Sequence, residues 1–342
     1  GGTNAPSIQI GVATAAQRAE ALRSSPRINI DTPTLYGSIS LVGGRIDDLI
    51  LKNYGQGVEE DSERIHLLHP VGAPKSYYAE FGWVGSSNDL NLPGANTTWK
   101  ATQTELRPGK PVTLTWDNQS GLLFERTYEI DDGYMITATQ RVTNTKKKSV
   151  GLFPYGLIAR SGTPNTLGFY ILHEGPLGVF NDTLREYDYD DLQETRKVEV
   201  QSTGGWIGIT DKYWLAALVP DQSVGSTYRF VHSLKNKDDR YQVDYLGQET
   251  RIAVGQQIET VNRLFAGAKE VKLLDTYSEQ YGIKNFDLAV DFGWFYFLTK
   301  PFFYAISWLN TYLGNFGLAI IAFTVFVKIV FFPLANKSYK SM

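Results

Sequence analysis

The feature that most constrains this chain of 342 residues is an apolar run near its C-terminal end, from Gly317 to Leu334. The run contains a single charged residue, Lys328. Because a helix rises about 1.5 Å per residue, a helix of this length spans about 27 Å, close to the hydrocarbon thickness of a bilayer. The alternative is a buried core helix, but the chain has no later segment that would cover it. We therefore predict a transmembrane helix over residues 314–336.

Charged residues after this span indicate its orientation. Lys337 and Lys340 follow it, and the positive-inside bias places such residues on the cytoplasmic side. Residues 337–342 are then the start of a cytoplasmic segment, and the large region before the span lies in the periplasm of a Gram-negative cell. Residues 1–26 are rich in Gly, Ala and Ser without an apolar core. We expect a flexible linker there, exported by an upstream signal or anchor helix.

Composition argues against a nucleic-acid partner. The formal net charge is −3 and charges of both signs are mixed through the chain, which leaves no electrostatic basis for binding a polyanion. The lysine run at 146–148 is interpreted as an exposed turn. Cysteine is absent, so no disulfide can form, which is compatible with the periplasm without arguing for it.

The long region before the span has the alternation of β-strands. Apolar and aromatic side chains recur at every second position on both sides of the Asp132-Gly133 pair, which is a strong signal for a two-residue hairpin. The first of these rows consists of Leu122, Phe124, Arg126, Tyr128 and Ile130. Strands this numerous predict a mainly β sandwich or barrel, with one large domain over residues 27–270. Residues 271–292 are predicted to form a closing helix, Val271 to Tyr281, and a connector.

A second helix precedes the span, over residues 293–313. Its apolar face carries Trp294, Leu298, Phe302, Ala305, Ile306 and Leu309, whereas Lys300, Ser307 and Thr311 lie opposite, with Tyr304 beside them. An aromatic-rich helix next to a transmembrane span is typical of the bilayer interface; a helix packed on the β domain is the alternative. We predict the membrane-interface residues Trp294, Phe295, Leu298, Phe302, Ile306, Trp308 and Leu309. Pro301 marks a kink or a second start, and Gly314-Asn315 is predicted to break the chain between this helix and the span.

Candidate catalytic and metal-binding residues form no convincing site. His173 and Glu174 are adjacent, so on a strand they point to opposite faces. His66 and His69, three residues apart in an extended segment, also face apart and make a poor metal pair. The acidic cluster Asp188, Asp190 and Asp191 lacks the glycine-bearing loop of a calcium site. The sequence therefore predicts no catalytic residue, no cofactor and no metal.

Several motifs resemble the YidC membrane protein insertases. The segment 314–321, the later Phe332-Pro333-Leu334 and Lys337-Ser338-Tyr339 are similar to the second transmembrane helix of that family. Further matches in the body are Asp31-Thr32-Pro33, residues 37–39 with 45–49, residues 78–83, residues 172–176 and residues 204–214. The resemblance covers nearly the whole chain from about Pro26 onward.

The resemblance implies a large periplasmic β-supersandwich similar to galactose mutarotases, then an interfacial helix and the first of five insertase-core helices. In that family an arginine on this helix faces a water-filled groove that meets hydrophilic parts of incoming proteins. The matching residue here is Lys328, which keeps the charge but lacks the planar fork of donors. The implied partners are nascent inner-membrane proteins, the Sec translocon and the lipid bilayer, with the protein in the bacterial inner membrane and the large domain in the periplasm.

Taken without the family, Lys328 has two interpretations. Placing a cation at membrane depth costs about 2.5–3.5 kcal/mol, so the presence of Lys328 needs an explanation. Its side chain either snorkels along the roughly 12 Å toward Asn336 or lines a hydrated groove, and the resemblance favours the groove. The resulting hypothesis is a non-enzymatic insertase. Its rivals are a membrane-tethered carbohydrate-binding or mutarotase-like protein and a scaffold that docks the translocon.

Overall fold

The structure, a computed structural model, describes residues 7–57, 59, 61–166, 172–235, 237–293 and 295–340. It divides into two compact units between Ala289 and Val290. The first unit holds every strand of the described residues, which confirms the predicted mainly β fold class. The helices are α1 (Ser7–Arg23), α2 (Tyr189–Thr195), α3 (Val271–Tyr281), α4 (Tyr296–Leu313) and α5 (Phe316–Lys340), with a 3₁₀ turn at Phe286–Ala289.

The strands are β1 (Arg27–Asp31), β2 (Leu35–Ser40), β3 (Arg45–Gly55), β4 (Arg64–Leu68), β5 (Tyr77–Gly85), β6 (Lys100–Ala101), β7 (Glu105–Leu106), β8 (Val112–Asp117), β9 (Leu122–Ile130), β10 (Met135–Asn144), β11 (Val150–Ser161), β12 (Gly175–Phe180), β13 (Thr183–Glu186), β14 (Lys197–Thr203), β15 (Trp206–Thr210), β16 (Trp214–Val219), β17 (Gly225–Lys235), β18 (Asp238–Gly247), β19 (Thr250–Ile252) and β20 (Gln257–Ala268).

These strands form two large sheets. The first has the order β14-β17-β18-β11-β5-β3-β2-β1-β7, with β19 on β11 and β4 on β3. The second has the order β13-β12-β15-β16-β20-β10-β9-β8-β6. Nearly all neighbours pair antiparallel; β1 and β7 pair parallel. Aromatic rings join the sheets, since Phe180 of β12 lies 4.8 Å from Tyr228 and 5.8 Å from Phe230 of β17. The core of the sandwich consists mainly of Ile, Leu, Val and Ala side chains, with aromatic rings among them that connect the two sheets.

The predicted row in β9 points inward as a whole, and it includes a buried charge. Arg126 is only 2% exposed. Its guanidinium lies over the Trp99 ring at 4.8 Å and donates to the carbonyls of Gly44, at 3.2 Å, and of Phe81. Because Arg126 belongs to the second sheet and Phe81 to the first, this side chain ties the two sheets together by hydrogen bonds.

The first helix differs from the predicted flexible linker. The structure has α1 over Ser7–Arg23 inside the stretch 1–26. Arg18 forms an ion pair with Asp48 of β3, and Ala21 is buried. Its alanine residues favour a helix. The ion pair between Arg18 and Asp48 anchors the helix to β3, and a pair so distant in sequence cannot be detected from local apolar spacing.

Helix α3 covers the hairpin between β9 and β10. Its bounds are those that the apolar spacing predicts, and Val271, Leu274 and Tyr277 are buried. The Tyr277 hydroxyl donates to Asp131 Oδ2 at 2.6 Å and accepts from the backbone N–H of Tyr134 at 3.0 Å. The turn at Asp132-Gly133 is not the predicted two-residue hairpin but a four-residue loop, 131–134, because Asp131 Oδ1 accepts from the N–H groups of Gly133 and Met135. The loop needs a glycine, because a Cβ on Gly133 would lie 2.3 Å from the Tyr277 hydroxyl oxygen.

We expect Tyr277→Phe to lower the free energy of unfolding by about 1–3 kcal/mol, because it leaves the Tyr134 N–H buried without its acceptor. Urea unfolding followed by tryptophan fluorescence measures the change. The control is Tyr281→Phe on the same helix, where the ring is half-buried and faces Arg263 at 4.2 Å. An equal loss in both variants would contradict the role of the Tyr277 hydroxyl.

Candidate membrane and substrate site

The second unit contains two helices separated by a sharp break. Gly314 ends α4 in the left-handed conformation, with φ +64°, and its N–H donates to the Asn310 carbonyl at 2.9 Å. The Asn315 side-chain oxygen then accepts from the Leu318 N–H at 3.2 Å, which caps the start of α5. The Gly-Asn pair therefore stops one helix and starts the next, as the sequence predicts.

The two helices contact each other through small and aromatic residues. Phe302 of α4 and Phe323 of α5 meet edge to face, with ring centroids 4.9 Å apart. Ser307 is 6% exposed and Ala319 is fully buried. The prediction that Ser307 lies on the exposed polar side is therefore wrong. A small hydroxyl residue is accepted at such a position because it allows close helix approach and can bond within its own helix.

Most of α5 has no protein cover. The window Phe316–Pro333 has a mean hydropathy of 2.3, and only 6% of it is buried inside the described structure. Among the described residues it is the one helix long and apolar enough to cross a bilayer. Exposed side chains include Phe326 at 61%, Ile329 at 66% and Phe332 at 66%. Apolar exposure on this scale is typical of a surface that meets lipid or other protein. The helix also continues to Lys340, past the expected end at residue 336.

The predicted interface residues of α4 and its N-terminal flank fall into two groups. Phe295, Leu298 and Trp308 are exposed, whereas Phe302, Ile306 and Leu309 are half-buried. Trp294 lies outside the described residues. The structure adds three exposed aromatic rings, Phe297, Tyr304 and Tyr312, which form a row with the predicted Trp308. The helix therefore has an apolar face turned toward α5 and an aromatic face that stays exposed.

Lys328 shares one face of α5 with the other polar side chain of the apolar run, Thr324. The two residues are four apart, so they lie one above the other on the helix. Both are exposed, and the half-buried positions Ala322, Phe323 and Val327 lie elsewhere around the helix. The sequence analysis missed Thr324, although its spacing from Lys328 could have identified it. Together they form a short polar row, Thr324–Lys328, within an apolar surface.

Comparison with known proteins identifies the family. The model of the YidC periplasmic domain family matches residues 27–305. The chain belongs to the YidC family. A protein from Methylorubrum extorquens called membrane protein insertase YidC is 47% identical, with 100% of this chain and 58% of that protein aligned. One of the same name from Rickettsia bellii is 44% identical, over 93% of this chain and 57% of that protein. The chain thus spans little more than half the length of these YidC relatives.

Solved structures similar to this YidC-family chain have a mutarotase-like fold. A galactose mutarotase-like protein from Lactobacillus casei superposes with a TM-score of 0.48 and 11% identity, covering 70% of this chain and 99% of that protein. An aldose 1-epimerase-like protein from Escherichia coli gives a TM-score of 0.44 and 10% identity over 70% of this chain and 98% of that one.

The acid and base candidates do not converge in this YidC-family chain. The His173 ring lies 3.4 Å from Asp188 and 3.2 Å from the Pro176 carbonyl. The Glu174 carboxylate instead accepts from the backbone N–H of Lys212 at 3.2 Å. Both residues lie in a loop before β12 rather than on a strand, and they engage different parts of the chain. No group of three or more possible metal ligands occurs in the described part of the chain.

The prediction that His66 and His69 face apart is wrong. Their rings are stacked, with centroids 6.0 Å apart and an interplanar angle of 16°. The pairing of β4 with β3 explains this, because His66 opposes Ile50 while Leu68 opposes the adjacent Leu49. Leu67, between them, is therefore the extra residue of a β-bulge. A bulge of one residue reverses the alternation of side chains between the two faces of the sheet. Two residues three apart therefore share a face.

Proposed function

We propose that this chain acts as the periplasmic and first membrane-embedded part of an insertase that helps inner-membrane proteins enter and fold in the bilayer. The observation that carries the proposal is the polar row Thr324–Lys328 on an otherwise apolar, uncovered helix. Family membership supports it, since relatives at 44–47% identity are named membrane protein insertases.

The proposed mechanism rests on where the free energy of insertion comes from. Burying the apolar helix of a client supplies the driving force, at about 25 cal/mol per Å². The obstacle is the dehydration of the polar segment that must cross. Lys328 and Thr324 would line a hydrated groove, where the fixed cation offers a partner to acidic groups of the client. The Thr324 hydroxyl donates to the Ile320 carbonyl at 2.7 Å, so its oxygen is left to accept from polar groups of the client. No nucleotide, cofactor or metal is required by this scheme, and the protein acts without enzymatic chemistry.

Helix α4 is proposed to lie along the periplasmic interface of the inner membrane. Its exposed ring row of Phe297, Tyr304, Trp308 and Tyr312 suits the headgroup region, where one end of an aromatic side chain meets apolar matter and the other meets water. Lys300, placed 5.6 Å from the Tyr296 ring centroid, can reach lipid phosphates from the same region.

The β-sandwich is proposed to be an accessory periplasmic domain. Nascent inner-membrane proteins are the substrates, and components of the Sec translocon are partners that this domain could contact. The groove residues belong to the second unit, so insertion itself should depend on that unit and the helices that complete the groove, rather than on the sandwich.

The test is complementation of cells depleted of their own insertase. An insertase of full family length that contains this sequence should restore growth, and a version without residues 27–270 should still insert a short client whose insertion is independent of the translocon. Membrane insertion is scored by protease protection of the client. Loss of insertion in the deletion variant, with the membrane part present at normal amount, would contradict the accessory role.

A further inference from the structure

His66 and His69, which the bulge turns to one face, line a crevice in the β-sandwich. The crevice has a volume of about 180 Å³ and lies among β4, β5, β11 and the loop between β15 and β16. It has space for several waters and therefore for one small molecule. The side chains that matter for its chemistry are His66, His69, Lys75, Arg160, Asp211 and Trp214.

Arg160 and Asp211 form the polar floor of the crevice. Arg160 lies over the Tyr77 ring at 4.8 Å, and its Nη1 donates to Asp211 Oδ1 at 2.7 Å and to the Tyr189 hydroxyl at 3.3 Å. Burial alone would lower the pKa of Arg160, but Tyr189, Asp211 and Tyr77 together raise it above its ordinary value. The floor therefore presents a guanidinium donor beside a carboxylate acceptor, held by packing and hydrogen bonds.

The two histidines add neutral groups. Burial, followed by the positive charge of Arg18, lowers the pKa of His69 to about 4. The same two causes lower the pKa of His66. At the pH of a neutral periplasm both rings are uncharged, and each then carries one donor and one acceptor nitrogen.

The side chains that line the crevice determine which class of ligand it can bind. A hydroxyl both donates and accepts, so a lining that alternates donors, acceptors and neutral imidazoles suits neighbouring hydroxyls on one ring. An anion would meet the Asp211 carboxylate, and a cation would meet Arg160 and Lys75. Half-buried Trp214 offers an apolar ring for the carbon face of such a ligand. We propose that this crevice binds a single neutral polyhydroxyl ring of hexose size, as a recognition site without catalysis.

The test is titration of the whole chain in a zwitterionic detergent, because detergents with sugar headgroups would compete. D-galactose, D-glucose and inorganic phosphate are added separately up to about 100 mM, and the Trp214 indole signal is followed by ¹H–¹⁵N NMR, assigned with Trp214→Phe. We expect a saturable shift with at least one hexose and none with phosphate.

Variants link the shift to the crevice. Asp211→Asn, His69→Phe and Lys75→Asn should each weaken hexose binding by about tenfold, the value of one good hydrogen bond. Lys75 is exposed, so its variant reports on binding even if the other two lower stability. The matched controls outside the crevice, His173→Phe and Asp182→Asn, should leave the affinity unchanged. Absence of any hexose shift, an unaltered affinity in all three crevice variants, or phosphate binding that moves the Trp214 signal would each overturn the proposal.

Discussion

An insertase of full family length that carries Lys328→Ala is expected to lose at least about 90% of its insertion of clients with acidic flanks, whereas Lys328→Arg keeps it. A loss of this size corresponds to about 1.4 kcal/mol in the barrier to insertion. The arginine variant keeps the charge and adds donors. The measurement is protease protection of a newly made client in depleted cells.

A relocated charge separates the groove from snorkelling. The double variant Lys328→Ala with Ile329→Lys moves the cation by one residue and about 100° around α5, away from Thr324. Ile329 is 66% exposed, so the new lysine has room. If Lys328 only snorkels to the interface, the double variant should work as well as the original sequence. If Lys328 lines the groove with Thr324, the double variant should fail as the alanine variant does. Full insertion activity of the alanine variant or of the double variant would contradict the groove.

The second large effect concerns the buried arginine between the sheets. We expect Arg126→Met to lower the free energy of unfolding by about 1–3 kcal/mol. Methionine fills much of the space over Trp99, but the Phe81 carbonyl loses its donor and the Gly44 carbonyl keeps only the Tyr128 hydroxyl, at 3.0 Å. Buried acceptors without partners cost about 1–3 kcal/mol each. Urea unfolding of the chain in detergent, followed by circular dichroism of the β signal, gives the change.

An exposed arginine provides the control for that measurement. Arg141 lies on β10, and its Nη2 is 2.7 Å from Glu259 Oε2 on β20. Both side chains are more than 40% exposed, so Arg141→Met should change stability by less than about 1 kcal/mol. Equal effects of the two substitutions would mean that Arg126 contributes through its aliphatic stem alone, and the inter-sheet hydrogen bonds would have to be abandoned as a source of stability.

Local signals in the sequence predict much of this structure because the relevant forces are local. The alternation in β9, the place of the hairpin at Asp132-Gly133 and the spacing of α3 each involve residues close in the chain, and each is found. The predicted two-residue length of the hairpin is not, because the loop has four residues. The break at Gly314-Asn315 belongs to the same class, since a left-handed glycine and an asparagine cap act within one turn.

The features that escaped prediction depend on distant partners. The inward place of Arg126 could be seen from its row, but its carbonyl acceptors on Gly44 and Phe81 lie 82 and 45 residues away. The bulge that turns His66 and His69 to one face arises only where β4 pairs with β3. Such contacts are set by the register between strands, which composition and periodicity do not encode.

Cysteine accessibility tests the central claim, that α5 crosses lipid with its C-terminal end in the cytoplasm. The chain has no cysteine, so this part of the protein adds no background labelling, and any cysteine in the rest of the full-length protein is replaced first. In a full-length family protein carrying this sequence, Thr311→Cys should react with an impermeant maleimide only from the periplasmic side and Asn336→Cys only from the cytoplasmic side. Phe326→Cys should stay unreactive until detergent is added. Labelling of all three sites from one side would contradict the account, because α5 would then lie in water or against protein and the polar row could not face a membrane groove.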